Sequence, residues 1–218
     1  PDADLEPEYA WNIDLGIVKN FGNIIHIDFA PYFTWLNNAM VRHDYLFEGQ
    51  DSIYYLGELS KVEAVTNAGS AYVYGFHLNM LANISERLSL KSSLNVTEGY
   101  EEGKIPLRHA APLFGSTHIL FETSGFKADL YSNYNGKKTF EKMAPSETEK
   151  PYLYSVDENG NPWSPGWITL NFKASYGFKN RYFVNAGVEN ILDCRYRPYS
   201  SGIAAAGLNF IVSLRVTF

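Results

Sequence analysis

Apolar and polar residues alternate along the last eleven positions of the chain. Every even position from Leu208 to Phe218 is apolar, and every odd position except Ile211 is polar. A period of two predicts a β-strand with one apolar face. The strand is about twice the ~5–6 residues usual in soluble sheets, and it is close to the ~9–11 residues with which a tilted strand crosses a bilayer. The pattern therefore predicts a transmembrane β-strand.

The same alternation recurs along the whole chain and predicts nine strands in total. Their approximate ranges are 9–19, 25–35, 61–84, 88–97, 110–122, 126–135, 168–178, 182–189 and 208–218. Short turns alternate with longer connections between these strands, as periplasmic turns and extracellular loops do in outer-membrane barrels. We treat 61–84 as one strand, because a break at Asn67–Gly69 would disturb that alternation. The longer connections, which we expect to be extracellular, lie at 43–60, 100–109, 138–165 and 193–204.

An odd number of strands limits how the sheet can close. In an up-and-down antiparallel sheet the first and ninth strands run in the same direction, so they cannot pair with each other in the antiparallel manner. An open sheet would leave two unpaired edges, which lipid cannot satisfy. The sequence therefore predicts an all-β fold, in which residues 1–218 form the carboxyl-terminal part of a single, larger, antiparallel up-and-down transmembrane β-barrel domain.

Composition agrees with a barrel that has one apolar and one polar face. Aromatic residues make up 16% of the chain, yet its mean hydropathy is −0.23. No run approaches the ~18 consecutive apolar residues of a membrane helix. The net charge of −6 argues against a nucleic-acid partner, because phosphate binding requires clustered Lys and Arg. Cys194 is the single cysteine, so no intrachain disulfide can form.

Three segments resemble one known family, the TonB-dependent outer-membrane receptors. Pro1–Glu8 resembles the Pro-rich segment that precedes a late barrel strand in that family, and Asn67–Gly75 resembles one of its strand motifs. Gly187–Asp193, followed by Arg195-Tyr196 and the terminal strand, resembles the family's carboxyl-terminal ending. The chain departs from these motifs at four positions, which are Ala3, His77, Cys194 and Leu208.

The resemblance implies a transporter and not an enzyme. It implies a 22-stranded barrel filled by an amino-terminal plug, which imports a scarce nutrient across the outer membrane with energy relayed by TonB. An iron-siderophore, haem and cobalamin are all open as the nutrient. The implied partners are outer-membrane lipid, the remaining strands and the plug of the same receptor, and TonB through that plug; no cofactor is implied.

Catalytic and metal-binding motifs are not recognisable in the sequence. The spacing between His109 and His118 would place them ~30 Å apart along an extended strand, which is too far to share a metal ion. His43 and Asp44 are adjacent in a predicted outer loop, where a solvated role is the simpler interpretation. The sequence therefore predicts neither catalytic residues nor metal ligands.

Aromatic and cationic residues in the outer loops are the candidates for ligand contact. Aromatic faces accompanied by a few cations suit flat, anionic or glycan ligands. The alternative is that these residues form the aromatic girdle at the membrane interface, which we favour for Trp167. The candidates are Tyr45, Phe47, Tyr54, Tyr55, Tyr152, Tyr154, Trp163, Arg195, Arg197 and Tyr199.

A second set of polar residues is predicted to face the lumen of the barrel, where some members should contact the plug. These residues occupy the polar positions of the alternating strands. They are Asn95, Asp129, Asn133, Asn171, Lys173, Asn185 and Glu189.

Two other classes of protein fit parts of the pattern. An enzyme in a ten-stranded outer-membrane barrel would need one further strand and catalytic acids at the rim, and it would show lipolytic or proteolytic activity. A soluble ligand-binding β-barrel or sandwich would have to bury the same apolar faces internally, and it would partition into water without detergent.

The aromatic terminus generates a first prediction. We expect the barrel-assembly machinery to recognise Phe218, which continues the apolar face of the last strand. Deleting Phe218 from the receptor that contains this chain should therefore lower its amount in the outer membrane, measured by surface labelling of intact cells. Normal surface levels of the deletion variant would contradict this role.

Overall fold

The structure is a computed structural model, which describes residues 4–67, 69–179 and 181–217. Seventeen strands are seen within these ranges. They are β1 (Tyr9–Asp14), β2 (Ile17–Phe21), β3 (Ile25–Asn37), β4 (Met40–Asp44), β5 (Ser52–Tyr55), β6 (Glu58–Lys61), β7 (Glu63–Asn67), β8 (Ser70–Asn83), β9 (Leu88–Glu101), β10 (Ile105–Pro106), β11 (Phe114–Thr123), β12 (Phe126–Asn135), β13 (Ser155–Val156), β14 (Pro162–Trp163), β15 (Trp167–Phe178), β16 (Tyr182–Glu189) and β17 (Asn209–Val216).

Helical structure is confined to single turns in the connections. One α-helical turn, α1, spans Pro145–Thr148, and 3₁₀ turns lie at Glu102–Lys104, Phe140–Lys142 and Pro151–Leu153. Among the described residues, no helix has the length and apolar character needed to span a membrane.

Nine long antiparallel strands follow one another in the main sheet of the described chain. The order is β1-β3-β8-β9-β11-β12-β15-β16-β17, and every neighbouring pair is antiparallel. Strand β2 also pairs with β3 and continues the line of β1 after an interruption at Leu15–Gly16. Strands β1 and β17 lie at opposite ends of this order, so the sheet is open at both edges. The predicted all-β, up-and-down architecture is confirmed.

The pairing register places polar and apolar side chains on opposite faces. Asp129 pairs with Lys173, and Ser175 pairs with Asn185, whereas Leu130 pairs with Phe172 on the other face. Because directly paired residues share a face, the register carries both faces across all nine strands. The seven residues predicted to face the lumen all lie on the polar face. They are Asn95, Asp129, Asn133, Asn171, Lys173, Asn185 and Glu189.

The apolar face is exposed to its surroundings along the whole sheet. On β17, Phe210 is 71% exposed and Val212 is 78% exposed, and Trp11 on β1 is 71% exposed. A soluble barrel would bury such a face in its own core, because a continuous apolar surface of this kind is an aggregation liability in water. Exposure to lipid accounts for this face, so the soluble alternative does not fit the structure.

Short and long connections alternate as predicted. Turns of a few residues join β2 to β3, β8 to β9, β11 to β12 and β15 to β16. The long connections lie at 38–69, 102–113, 136–166 and 190–208, and all four leave the same end of the sheet. We call this end the outer end, following the orientation expected from the sequence.

One predicted strand is wrong. Residues 61–84 do not form a single strand: β8 begins at Ser70 and pairs with β3 and β9, while β7 pairs with β4. The β4–β7 pair keeps the register of β3–β8, but the pairing is interrupted next to Gly69, whose φ of 77° is a left-handed value. The alternation of polarity continues through the break because β7 is itself an amphipathic strand. The connection expected at 43–60 is therefore longer and forms a two-part hairpin, which we call the arm (38–67).

The terminal residue Phe218 lies outside the described residues, and so do residues 1–3 of the Pro-rich segment. The described part of the last strand follows the prediction. Phe210, Leu214 and Val216 share the apolar face with Val188, Val184 and Tyr182 on β16.

Two strand glycines make room for tyrosine rings on neighbouring strands. A Cβ on Gly75 would collide with the carbonyl oxygen of Val96 and lie 2.6 Å from the Tyr32 hydroxyl. That hydroxyl bonds to Thr97 across the sheet. Gly115 receives Tyr134 in the same way, and the Tyr134 hydroxyl donates to the Ser93 carbonyl oxygen at 3.1 Å.

This packing generates a second prediction. Gly75→Ala should destabilise the barrel by about 1–3 kcal/mol, the usual cost of overpacking, because the new methyl group displaces Tyr32. The unfolding temperature of the purified receptor, followed by heat-dependent migration in detergent gels, measures the effect. Gly16→Ala is the matched control, because nothing lies within 4 Å of its added Cβ. Equal unfolding temperatures for the two variants would contradict the prediction.

Candidate ligand-binding site

Charged and aromatic side chains are interlinked on the polar face, in the middle of β11, β12 and β15 and at the outer end of β16. The Lys173 ammonium lies 2.8 Å from the Glu189 carboxylate and 5.1 Å from the centre of the Tyr131 ring. The Tyr131 hydroxyl donates to Glu189 at 3.2 Å. On the other side of Tyr131, the His118 ring stacks at 5.0 Å and pairs with Asp129 at 3.0 Å. These contacts form one polar network across four strands.

Three of the other residues predicted to face the lumen make local contacts on the same face. The amide of Asn95 contacts His77, and the amide of Asn185 donates to the Ser213 hydroxyl at 3.0 Å. Asn171 is buried, and its side-chain oxygen accepts from the backbone N–H of Asn190 at 2.8 Å.

Two polar residues of the motif Gly187–Asp193, Asn190 and Asp193, form hydrogen bonds in the corner after β16. Asn190 is buried and has a left-handed φ of 50°. Its side chain accepts from the Cys194 N–H at 2.9 Å and donates to the Cys194 carbonyl at 2.9 Å and the Ala206 carbonyl at 3.1 Å. Asp193 accepts from the Leu208 N–H at 3.0 Å. The two polar residues thus close the connection 190–208 at its base.

A buried carboxylate joins three of the four outer connections. Glu147 of α1 is 2% exposed. It accepts a hydrogen bond from the Tyr199 hydroxyl at 2.6 Å and another from the His109 backbone N–H at 3.2 Å. It also accepts from the Ala144 N–H at 3.3 Å, as an N3 glutamate does at a helix start. Connections 102–113, 136–166 and 190–208 therefore meet at one side chain.

A buried lysine completes this cluster, which we call the Glu147 node. Lys138 is 5% exposed, its ammonium donates to the Ala110 carbonyl oxygen, and it lies 4.7 Å from the centre of the Tyr199 ring. Burial lowers the pKa of Lys138, against the opposing effect of nearby Glu147. Burial and the hydrogen bond to Glu147 raise the pKa of Tyr199 well above its usual value. The node therefore keeps the Tyr199 hydroxyl protonated as a donor.

The arm contacts β9 through His43 and connection 136–166 through Lys61. His43 on β4 lies 3.0 Å from Glu101, which ends β9 on the polar face. Lys61 bridges Asp44 within the arm at 2.8 Å and Glu149 beyond α1 at 2.6 Å. The hydrogen bonds to Asp44 and then Glu149 raise the pKa of Lys61, although these groups are exposed and such pairs contribute little stability.

A cavity of about 580 Å³ lies between the arm and connections 102–113 and 136–166. Glu101, which ends β9 on the polar face of the sheet, is one of its lining residues. Its other charged lining groups are Arg42, His43, Asp44, Glu63, Arg108 and Glu149. We call this space the outer cavity. Its volume falls within the roughly 300–1,000 Å³ usual for small-molecule sites.

Carboxylates in the outer cavity are matched by cations of the chain. Asp44, Glu63 and Glu149 place oxygen atoms within 4.8 Å of one another, a spacing that could hold a metal ion. Lys61 pairs with Asp44 and Glu149, and Arg42 lies 3.4 Å from Glu63. Because the chain itself supplies these counter-charges, the cluster is better described as an ion-pair network.

The predicted ligand residues separate into two groups. Tyr54 and Tyr55 stand at the tip of the arm, where Tyr54 is 79% exposed, and Tyr45 and Phe47 are exposed lower on the arm. The remaining candidates belong to the connections around the node. Tyr152, Tyr154 and Trp163 lie in connection 136–166, and the Tyr154 ring packs on the Tyr199 ring with centres 6.1 Å apart. Arg195 and Arg197 lie in connection 190–208, where Arg197 donates a hydrogen bond to the Tyr152 carbonyl oxygen at 3.2 Å.

Sequence reasoning missed the residues at the centre of the outer connections. Glu147, Lys138 and Glu101 are polar residues in or beside predicted loops, where a solvated position is the usual expectation. One signal was present: Pro145 followed two positions later by Glu147 is typical of a helix start, where the glutamate returns to the backbone. Burial of that glutamate depends on Tyr199 and His109, which are remote in sequence.

The fold and its two faces define a segment of a transmembrane β-barrel, and the comparisons with known proteins identify the family. Residues 1–191 match the family model described as "TonB dependent receptor-like, beta-barrel". The chain therefore belongs to the TonB-dependent receptors, a family of outer-membrane transport receptors, as the sequence motifs predicted. A comparison with curated proteins finds no match.

Solved receptor structures share the fold at low sequence identity. The copper transporter OprC superposes with a TM-score of 0.76 and 15% identity, over 98% of this chain and 32% of its own. The FrpB iron transporter from Neisseria meningitidis gives a TM-score of 0.69 and 13% identity, over 99% of this chain and 31% of its own. The siderophore receptor PirA from Acinetobacter baumannii gives a TM-score of 0.70 and 14% identity, over 99% of this chain and 32% of its own.

The chain spans about a third of the length of these solved receptors. This share is consistent with the predicted carboxyl-terminal portion of the barrel.

The Glu147 node generates a third prediction. Glu147→Ala leaves the Tyr199 hydroxyl and the His109 N–H without their acceptor, at a cost of about 1–3 kcal/mol for each unsatisfied buried group. The three connections should then separate, and limited proteolysis of the receptor on intact cells should cleave them faster. Glu158→Ala, an exposed change in the same connection, is the control. Wild-type cleavage rates in Glu147→Ala would show that the node does not hold the connections together.

Proposed function

We propose that residues 1–218 form the carboxyl-terminal part of the barrel of a receptor that actively imports a scarce nutrient across the outer membrane. The observation that carries this proposal is the continuity between the polar face of the sheet and the outer cavity. Glu101 belongs to both, since it lies on the polar face of β9 and lines the cavity. A solute captured between the outer connections would therefore meet a polar path and not the lipid-facing surface.

Ligand capture belongs to the outer end of the molecule in this proposal. The Glu147 node holds three connections together, and two of them, 102–113 and 136–166, line the outer cavity on the side opposite the arm. Exposed Tyr54 and Tyr55 at the tip of the arm offer aromatic surface for a first contact with a planar ligand. An iron-siderophore, haem or cobalamin would suit this combination of aromatic and charged groups. The copper, iron and siderophore receptors named above support the fold and leave the choice of nutrient to experiment.

The remaining partners follow from membership of the family. The open edges of β1 and β17 require further strands, because unpaired backbone groups are costly in lipid. We propose that other parts of the receptor supply these strands and a plug, that TonB acts through that plug, and that the barrel-assembly machinery recognises Phe218.

Uptake by whole cells tests this proposal. The receptor that contains this chain is expressed in bacteria that lack their own receptors for the nutrient tested. Labelled ferric siderophores, haem and cobalamin are supplied separately, with and without functional TonB. We expect accumulation of one of them only when TonB is functional. No uptake of any nutrient, or uptake that is independent of TonB, would refute the proposal.

The lumen-facing pair generates a fourth prediction, which concerns the plug. Lys173→Glu would place a third carboxylate beside Glu189 and Asp129, so uptake should fall. The exchange Lys173→Glu with Glu189→Lys restores the ion pair but reverses the charges presented to the lumen. If these residues contact the plug, the exchange should not restore uptake. Full recovery would indicate that the pair only stabilises the barrel, and an unchanged rate in the single variant would exclude both roles.

A further inference from the structure

A second and smaller cavity lies between connections 136–166 and 190–208. Its volume is about 300 Å³. Its lining includes Arg195, Arg197, Trp167 and Tyr154, and none of the described residues that line it is an aspartate or a glutamate. We call this space the inter-loop cavity. Its composition contrasts with that of the outer cavity, where Arg42 pairs with Glu63 and Lys61 pairs with Asp44 and Glu149.

The two arginines retain most of their hydrogen-bonding capacity. Among the residues that the structure describes, no hydrogen bond or ion pair involves Arg195. Arg197 uses one Nη1 donor for the Tyr152 carbonyl oxygen. A guanidinium group carries five N–H donors in a fixed plane and stays protonated at any physiological pH. Two such groups beside one cavity therefore create a positive site to which the described chain brings no counter-charge.

An indole N–H strengthens the case for a missing acceptor. Trp167 lines the inter-loop cavity, and its Nε1 atom is buried without a hydrogen-bond partner. Tyr196 stacks on Trp167 with ring centres 4.1 Å apart, which fixes the indole in place. The Tyr154 hydroxyl is also buried here without a well-directed hydrogen bond. Buried donors normally have partners, because each unsatisfied one costs about 1–3 kcal/mol.

We propose that the inter-loop cavity binds the oxyanion group, a carboxylate or a phosphate, of a small ligand. Arg195 and Arg197 would neutralise the anion, since planar guanidinium groups match both kinds of oxyanion. Trp167 and Tyr154 would donate the remaining hydrogen bonds. A volume of 300 Å³ lies at the lower end of small-molecule sites, so it suits a compact anion or one anionic arm of a larger ligand. The site deepens the proposed function, because it gives the outer connections a preference for anionic nutrients.

Binding of simple anions to the purified receptor in detergent tests this site directly. Benzoate and inorganic phosphate are titrated separately by calorimetry, and benzamide serves as the neutral counterpart of benzoate. We expect saturable binding of at least one of the two anions, and the stronger one identifies the preferred oxyanion. The double variant Arg195→Gln with Arg197→Gln should weaken that binding at least tenfold. Lys104→Gln is the control, because it removes one exposed cation from a different connection.

A spectroscopic signal distinguishes this site from general surface charge. An anion in the inter-loop cavity should change the tryptophan fluorescence of the receptor, and Trp167→Phe should remove that change. The proposal is overturned if neither anion binds or if benzamide binds as tightly as benzoate. It is also overturned if the double variant binds the anion normally, or if Lys104→Gln weakens binding as much as the double variant does. Uptake is measured in parallel: anion binding without TonB-dependent uptake would refute the transport proposal alone, and uptake without anion binding would refute this site alone.

Discussion

Backbone hydrogen bonding inside lipid is the constraint on which the structure depends. A bilayer offers no partner for an unpaired N–H or C=O group, so a membrane-spanning sheet must pair every strand with its neighbours. Nine strands meet this requirement by continuous antiparallel pairing from β1 to β17. Pairing also fixes the register, and the register separates the side chains into an apolar face and a polar face. The two outer edges remain to be paired with further strands of the barrel.

The outer connections solve a different problem, because they extend beyond the sheet and need their own internal partners. Glu147 provides one solution, since it accepts hydrogen bonds from Tyr199 and His109 in two other connections. Asn190 provides another at the base of connection 190–208. Between these anchored segments the structure leaves two spaces of different charge. The outer cavity contains several ion pairs, and the inter-loop cavity is lined by two arginines and, among the described residues, by no acid.

Sequence periodicity predicted the strands well because successive side chains of a strand point to opposite faces, and each face of this sheet has a uniform polarity. The same property produced the error at 61–84, since β7 in the arm alternates in phase with β8 and only Gly69 marks the break. The position of residues such as Lys173 on the polar face followed from the alternation. The Glu147 node could not be predicted, because its burial depends on contacts between connections that are remote in sequence. Arg195 and Arg197 were found by residue type, and their shared cavity only by the structure.

The central claim is that the polar face lines an aqueous lumen and the apolar face contacts lipid. Reaction of single cysteines with a membrane-impermeant maleimide tests it most directly, in the outer-membrane-embedded receptor and on a Cys194→Ser background. Consecutive positions of β15 are replaced one at a time, at Phe172, Lys173, Ala174 and Ser175. Cysteines at 173 and 175 should react, and those at 172 and 174 should not. Equal reaction at all four positions, or reaction only at 172 and 174, would contradict it.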